Sequence, residues 1–172
     1  MRRDTGLTIT ELLVTVAVFA LLATIGIPSF AGMAREQQLI TTTNTFINAL
    51  YAARWEAVKR GHHTVLCPSM DGLQCAPVSY AEGWIIGVVE NTATGSLIQP
   101  DEVIRHFGAA PTSVTIHTNG TMGEYIAYRN DGQTRRLNGA LQMGSVWLCH
   151  GETGRRVVIS RTGRARVEIT SC

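Results

Sequence analysis

Residues 1–30 read MRRDTGLTITELLVTVAVFALLATIGIPSF. Arg2 and Arg3 precede a run from Leu12 to Ile27, LLVTVAVFALLATIGI, that carries no charge. With Leu7 to Glu11 added, the stretch is about 21 residues long, close to the ~20 a helix needs to cross a bilayer. Basic residues on its N-terminal side predict that this end stays in the cytoplasm and the rest crosses. Glu11 stands at the edge of the apolar run. A carboxylate inside a bilayer costs on the order of 2.5–3.5 kcal/mol at its centre, so Glu11 needs a partner or a role. A secretory signal peptide is the competing reading. Ser29-Phe30-Ala31 offers a weak cleavage site, but the apolar run exceeds the ~7–15 residues of a signal core. Arg2-Arg3 also raises a twin-arginine signal, which Asp4-Thr5-Gly6 does not continue.

Downstream of Pro28 the helical pattern resumes. Phe46, Leu50, Ala53 and Ala57 fall at i, i+4, i+7 and i+11, with Ile47, Tyr51, Arg54 and Val58 alongside. This is an amphipathic stripe, and Gly61 after Arg60 is a usual helix stop. One helix from about Leu7 to Arg60 is predicted, with a membrane half and a half that packs on a globular domain. After Gly61 the pattern changes to short runs rich in β-formers: HTVLC, GWIIGVV, EVIRHF, SVTIH, EYIAY, SVWLC, RRVVIS and RARVEI. Asn119-Gly120, Asp131-Gly132 and Thr162-Gly163 punctuate them as turns. The expected class is α+β, antiparallel hairpin sheets packed on the C-terminal half of a long helix.

The 172 residues, 45% hydrophobic with a net charge of +2, exclude a disordered tail, a collagen and a supercharged nucleic-acid binder. Of the 15 basic residues only Lys59 is lysine. Arginine suits bidentate contacts to carboxylate or phosphate, and a GC-rich genome, which favours arginine codons, gives the same bias without function. The small net charge conceals a dipole. Residues 61–119 hold one arginine against five carboxylates, and residues 120–172 hold eight arginines against four. The four cysteines, Cys67, Cys75, Cys149 and Cys172, read as disulfides in a domain outside the cytoplasm, with three connectivities open. Cys67–Cys75 with Cys149–Cys172 is favoured, because each closes a short loop and the second ties down the C-terminus. A zinc site is the rival, but Cys67 and Cys75 lack knuckle spacing and His62, His63 and His150 are loosely placed.

The densest charge is Arg161-Thr162-Gly163-Arg164-Ala165-Arg166. Thr162-Gly163 reads as a hairpin tip. On the strand that follows, Arg164, Arg166 and Glu168 share one face, and Ala165, Val167 and Ile169 the other, apolar one, which is expected to pack. Arg161 lies across the tip. Such a fork holds phosphates bidentately, and backbone contacts of this kind bind DNA without reading its sequence. A solvated arginine edge that blocks aggregation, or a docking surface for another subunit, is the bland alternative. No aromatic residue interleaves the arginines, which ranks base stacking behind phosphate contact.

RRDTG followed by LTITELLVTVAVFALLATIGIPSF resembles the N-terminus of type IV pilins and pseudopilins. The resemblance implies a leader of residues 1–6 cut after Gly6 by prepilin peptidase, with Leu7, in place of the usual Phe, becoming an N-methylated terminus. It implies that residues 7–28 form a transmembrane and filament-core helix, kinked at Pro28, and that residues 29–172 form a periplasmic pilin-like domain. Glu11 then pairs with the new amine of a neighbouring subunit; buried together, the two charges cost far less than either alone. Major and minor pilins are the implied filament partners, and the inner membrane holds the chain before assembly. ARWEAVKRGHHTVLCPS, the GW after the second cysteine, VWLCH and SRTGRARVEI resemble the GspH/FimT branch over nearly the full chain. Gly163-Arg164-Ala165-Arg166 resembles the C-terminal Gly-Arg-x-Arg motif of FimT-like minor pilins linked to DNA uptake. By that resemblance Arg161, Arg164 and Arg166, helped by Arg155 and Arg156, touch double-stranded DNA in natural transformation. The alternatives are a structural H-type pseudopilin of a type II secretion system and a minor pilin that only primes assembly.

No G-x-S-x-G, P-loop or H-E-x-x-H is present in the sequence. The expectation is no enzyme, no cofactor and no metal. His62, His63 and His117 read as strand-end or surface residues, and Trp84 and Trp147 as packing.

Overall fold

The computed structural model describes residues 8–90 and 100–172, without the side chains of residues 25–29 and 31. The leader, Gly6 and Leu7 therefore lie outside the described residues, as does the ring of Pro28. The chain divides into two compact units, Met1–Gln37 and Gln38–Cys172. Helix α1, Ile9–Arg60, begins in the first and ends in the second.

In the first unit α1 is opened by a capping box. Thr8 N–H donates to Glu11 Oε2 at 3.1 Å and Glu11 N–H donates to Thr8 Oγ1 at 3.3 Å, so Thr8-x-x-Glu11 satisfies two donors that a helix start leaves orphaned. Thr15 and Thr24 return their hydroxyls to the carbonyls of Leu12 and Leu21, each at 2.8 Å. This hides two polar groups inside an apolar run. Ile9, Leu12, Leu13, Val14, Val16, Val18, Phe19, Leu21 and Leu22 are all exposed. Among the described residues no helix is long and apolar enough to cross a membrane; the span expected over residues 7–28 runs into residues outside those described.

In the second unit Phe46, Leu50, Ala53 and Ala57, the stripe expected from the periodicity, are fully buried, and so are Leu39 and Ala49. Tyr51 and Val58, flanking it, are exposed instead. Gly61 ends the helix at φ 74° with its N–H on Ala57 O at 3.0 Å, a left-handed C-cap that glycine adopts without strain.

The strands are β1 His63–Pro68, β2 Trp84–Val89, β3 Glu102–Phe107, β4 Thr115–Thr118, β5 Ile126–Tyr128, β6 Gly144–His150, β7 Thr153–Ile159 and β8 Ala165–Ser171. Each lies on one of the β-rich runs named above. One antiparallel sheet has the order β3-β2-β1-β5 and the other β4-β6-β7-β8. One face of each sheet joins the helix stripe in a shared core holding Leu66, Ile86, Ile126, Leu148, Val157 and Ile159. Phe46 meets Tyr80 and Trp84 edge-on at 5.3 and 5.5 Å, and Trp84 stacks on Phe107. The far face of the first sheet has its own small core around Val65, Ile85, Tyr125 and Ala127. That is why β1 and β2 read as continuous apolar runs rather than alternating ones.

The disulfides are Cys67–Cys75 and Cys149–Cys172, with Cα separations of 5.5 and 6.0 Å. The second fastens the end of β8 to β6. Its sulfur occupies the space that a side chain at Gly154 would need.

The apolar face expected on β8 packs only at its start. Ala165 is 5% exposed, but Val167 and Ile169 are 39% and 79% exposed. The register explains this. Among the described residues β8 is an edge strand, and although Val167 and Ile169 stand opposite Val157 and Arg155, no further described strand lies beyond them.

A candidate nucleic-acid interface at the β7–β8 tip

The tip is a tight turn. Gly163 N–H donates to Ser160 O at 2.9 Å and Ser160 N–H to Arg164 O at 3.0 Å. Gly163 is buried at φ +77°, with its Cα against the carbonyl of Gly132. Any side chain there would need both an unfavourable backbone conformation and space that Gly132 O already fills. Gly163 therefore builds the tip.

Gly132, at φ +75°, belongs to the Asp131-Gly132 turn, and the two turns are locked together from α1. Arg54 Nε donates to Gly132 O at 3.0 Å and its Nη2 to Thr162 O at 3.2 Å. Thr134 adds a strut: its N–H donates to Arg161 O at 3.0 Å, and its hydroxyl is directed at Ser160 O at 2.7 Å and Gln142 O at 2.9 Å. Tyr51 Oη donates to Ala165 O at 3.1 Å. The backbone on both sides of Arg161 and Arg164 is thus held by three side chains, and the two guanidinium groups project from a fixed frame.

Arg161 and Arg164 are exposed, and among the described residues neither makes an ion pair. Arg166 and Arg156 differ. Arg166 Nε lies 2.9 Å from Glu168 Oε1, and Arg156 is paired with Glu168 Oε2. Arg156 foremost, then Arg166, holds the Glu168 carboxyl below the usual carboxylate range. Arg156 and Glu168 are direct cross-strand partners. Arg155 goes to the other face of β7, opposite Ile169, and so is separated from the cluster. Elsewhere in the basic segment Arg136 pairs with Glu124 at 2.6 Å and lies over the Tyr125 ring, while Arg129 approaches Asp131 at 3.9 Å. Arg135 reaches only the Gly139 carbonyl, at 3.2 Å, so among the described residues the tip carries two adjacent cations without a carboxylate partner.

Arg54, Tyr51 and Thr134 were not singled out as site residues by sequence. The only signal was that Tyr51 and Arg54 flank the amphipathic stripe, and the turns they meet lie far away along the chain. Among the described residues no group of three or more His, Cys, Asp or Glu side chains is placed to hold a metal. His62 and His117 are exposed and His63 is partly buried. Burial, then the charge of Arg129, holds the His63 imidazole below its usual range. A groove of about 310 Å³ lined by Ser79, Tyr80, His117, Thr118 and Gly123 carries no charged side chain.

The family described as type II transport protein GspH matches residues 42–163. The type IV minor pilin FimU of Pseudomonas aeruginosa has a similar structure, with a TM-score of 0.59 and 21% identity over 79% of this chain and 92% of that one. The minor pseudopilin EpsH of the type 2 secretion system of Vibrio cholerae is similar at a TM-score of 0.51, with 10% identity over 77% of this chain and 97% of that one. No curated protein matches the sequence.

Proposed function

The chain belongs to the GspH family of type II transport proteins, and from that premise we propose that it is a minor pilin that captures extracellular DNA at the β7–β8 tip. The observation that carries this reading is the pair Arg161 and Arg164, exposed and without a carboxylate partner on an anchored turn. The anchored turn fixes where the two side chains start, the planar guanidinium fork is pre-organised for phosphate, and contacts to the backbone alone bind any sequence. Arg166 and Arg156 are second-rank contacts, because Glu168 already occupies them.

The remaining parts follow the pilin pattern. Prepilin peptidase cuts after Gly6, Leu7 becomes the methylated terminus, and the inner membrane holds the apolar segment until filament assembly. Glu11 then exchanges the Thr8 donors for the amine of a neighbouring subunit. The exposed apolar side chains from Ile9 to Leu22 support this, since only lipid or other helices remove such a surface from water.

The test is a titration of the full chain in detergent, disulfides intact, with mixed-sequence duplex DNA across a salt series. Two to four phosphate contacts predict a log–log slope of about −2 to −4, and Arg161→Gln with Arg164→Gln reduces its magnitude by about 2. The second reading, a structural pseudopilin of a secretion system, is favoured by the family description. It predicts no salt-dependent binding and an unaltered response in the double variant.

A further inference from the structure

The fold carries in the aromatic surface that the arginine motif lacks in sequence. Tyr51 is tied by its hydroxyl to Ala165 O, the carbonyl between Arg164 and Arg166. Trp55 lies one turn further along α1, and side chains at i and i+4 are neighbours on a helix, about 6 Å apart at Cβ. Tyr51 is 45% exposed and Trp55 66% exposed. Among the described residues Trp55 has no ring, hydrogen-bond or cation partner. Val58 completes the stripe at 51% exposure and touches the Gly132 turn. A tryptophan this exposed is unusual beside a core that buries Trp84 to 2%.

We propose that Tyr51 and Trp55 form a stacking ledge beside the arginine tip, so that the site takes single-stranded nucleic acid, phosphates on Arg161 and Arg164 and an unpaired base on Trp55. This rests on the DNA-binding reading and narrows its substrate class. A base presents a flat π-face to an aromatic ring only when it is out of its own stack. An intact duplex offers the same phosphates but no free face along its length. Positive charge on a turn that Tyr51 is bonded to, with an exposed indole one helical turn from that tyrosine, is the pairing that a polyanion with aromatic bases complements.

The experiment titrates the full chain in detergent with an oligothymidine strand and, separately, with a mixed-sequence duplex at low salt. Trp55→Ala weakens oligothymidine binding roughly 5- to 100-fold, the loss of one stacked base, and lowers the ratio of single-strand to duplex affinity by the same order. Trp55→Phe, which keeps a ring, restores most of that ratio. Oligothymidine quenches the tryptophan emission of the wild type, and the quench disappears in Trp55→Phe, in which Trp84 and Trp147 remain. An affinity ratio that Trp55→Ala leaves unmoved, beside arginine-dependent binding of both strands, overturns the ledge and keeps the DNA reading. Absence of binding to either strand overturns both, and points to a protein partner for this face.

Discussion

Gly163 and Arg164 are neighbours with opposite sensitivities. Gly163→Ala combines a backbone at φ +77° with a collision against Gly132 O, so it should cost about 1–3 kcal/mol, read as a fall in thermal midpoint. Arg164→Gln, at an exposed position, should leave the midpoint nearly unchanged while weakening DNA binding. Glu168 supplies a test of the opposite sign. Removing its charge in Glu168→Gln releases Arg156 and Arg166, so duplex affinity at low salt should rise and the salt slope should steepen. Its carboxyl is held low in the folded state by those arginines. That contribution to stability is therefore complete above the unfolded carboxylate pKa, about 4.3, and is lost as pH falls through the folded value. His63 acts on the same acid limb. Its folded pKa is below the ordinary value, so the unfolded chain takes up the proton first. Stability falls as pH drops from about 6.5 toward the folded value. A pH series of melting curves should show this slope in the wild type and a shallower one in His63→Gln.

At the scale of elements, what the sequence makes legible is what burial dictates locally. The stripe Phe46, Leu50, Ala53 and Ala57 and the β-rich runs both took the structures their periods imply, because each buries an apolar face. Val167 and Ile169 broke the pattern for a non-local reason: alternation reports which face a residue is on, and only sheet order reveals that β8 lies at an edge. The Arg54 clamp was illegible for the same reason, since it joins residues 78 and 108 positions apart. Thr8-x-x-Glu11 is a cap signature in which one carboxylate both closes the helix start and stands at the edge of the apolar run. The disulfide between β6 and the C-terminus closes a 23-residue separation, and in the chain-entropy picture such a loop contributes about 3 kcal/mol. Cys149→Ser/Cys172→Ser should lose about that much by denaturant titration. Amide exchange should accelerate in β8 before the other strands, because it is the edge strand whose end this disulfide fastens and edge strands open at lower free energy than core ones.

The whole molecule consists of two units with different solvent demands. The described part of Met1–Gln37 displays large apolar side chains, and Gln38–Cys172 buries a core of its own. A chain starting at Gln38, with both disulfides formed, should stay in the soluble fraction, whereas the full chain should sediment with membranes and resist alkaline carbonate extraction. Charge is partitioned as well: the stretch 61–119 is net acidic and 120–172 net basic. The pairing of Arg136 and Arg156 with carboxylates narrows the basic excess to a small area. A near-neutral protein can thereby focus a local attraction without general affinity for polyanions.

Strand β8 is moored at both extremities. At its beginning Tyr51 holds Ala165, and Arg54 holds Thr162 just before it; at its end Cys172 is covalently bound to Cys149. A load hung on the arginine tip therefore has no loose end from which to unzip an edge strand one hydrogen bond at a time. It must shear the hydrogen-bonded ladder to β7 all at once or strain the helix anchors, so the tip bears tension as a fastened strap does.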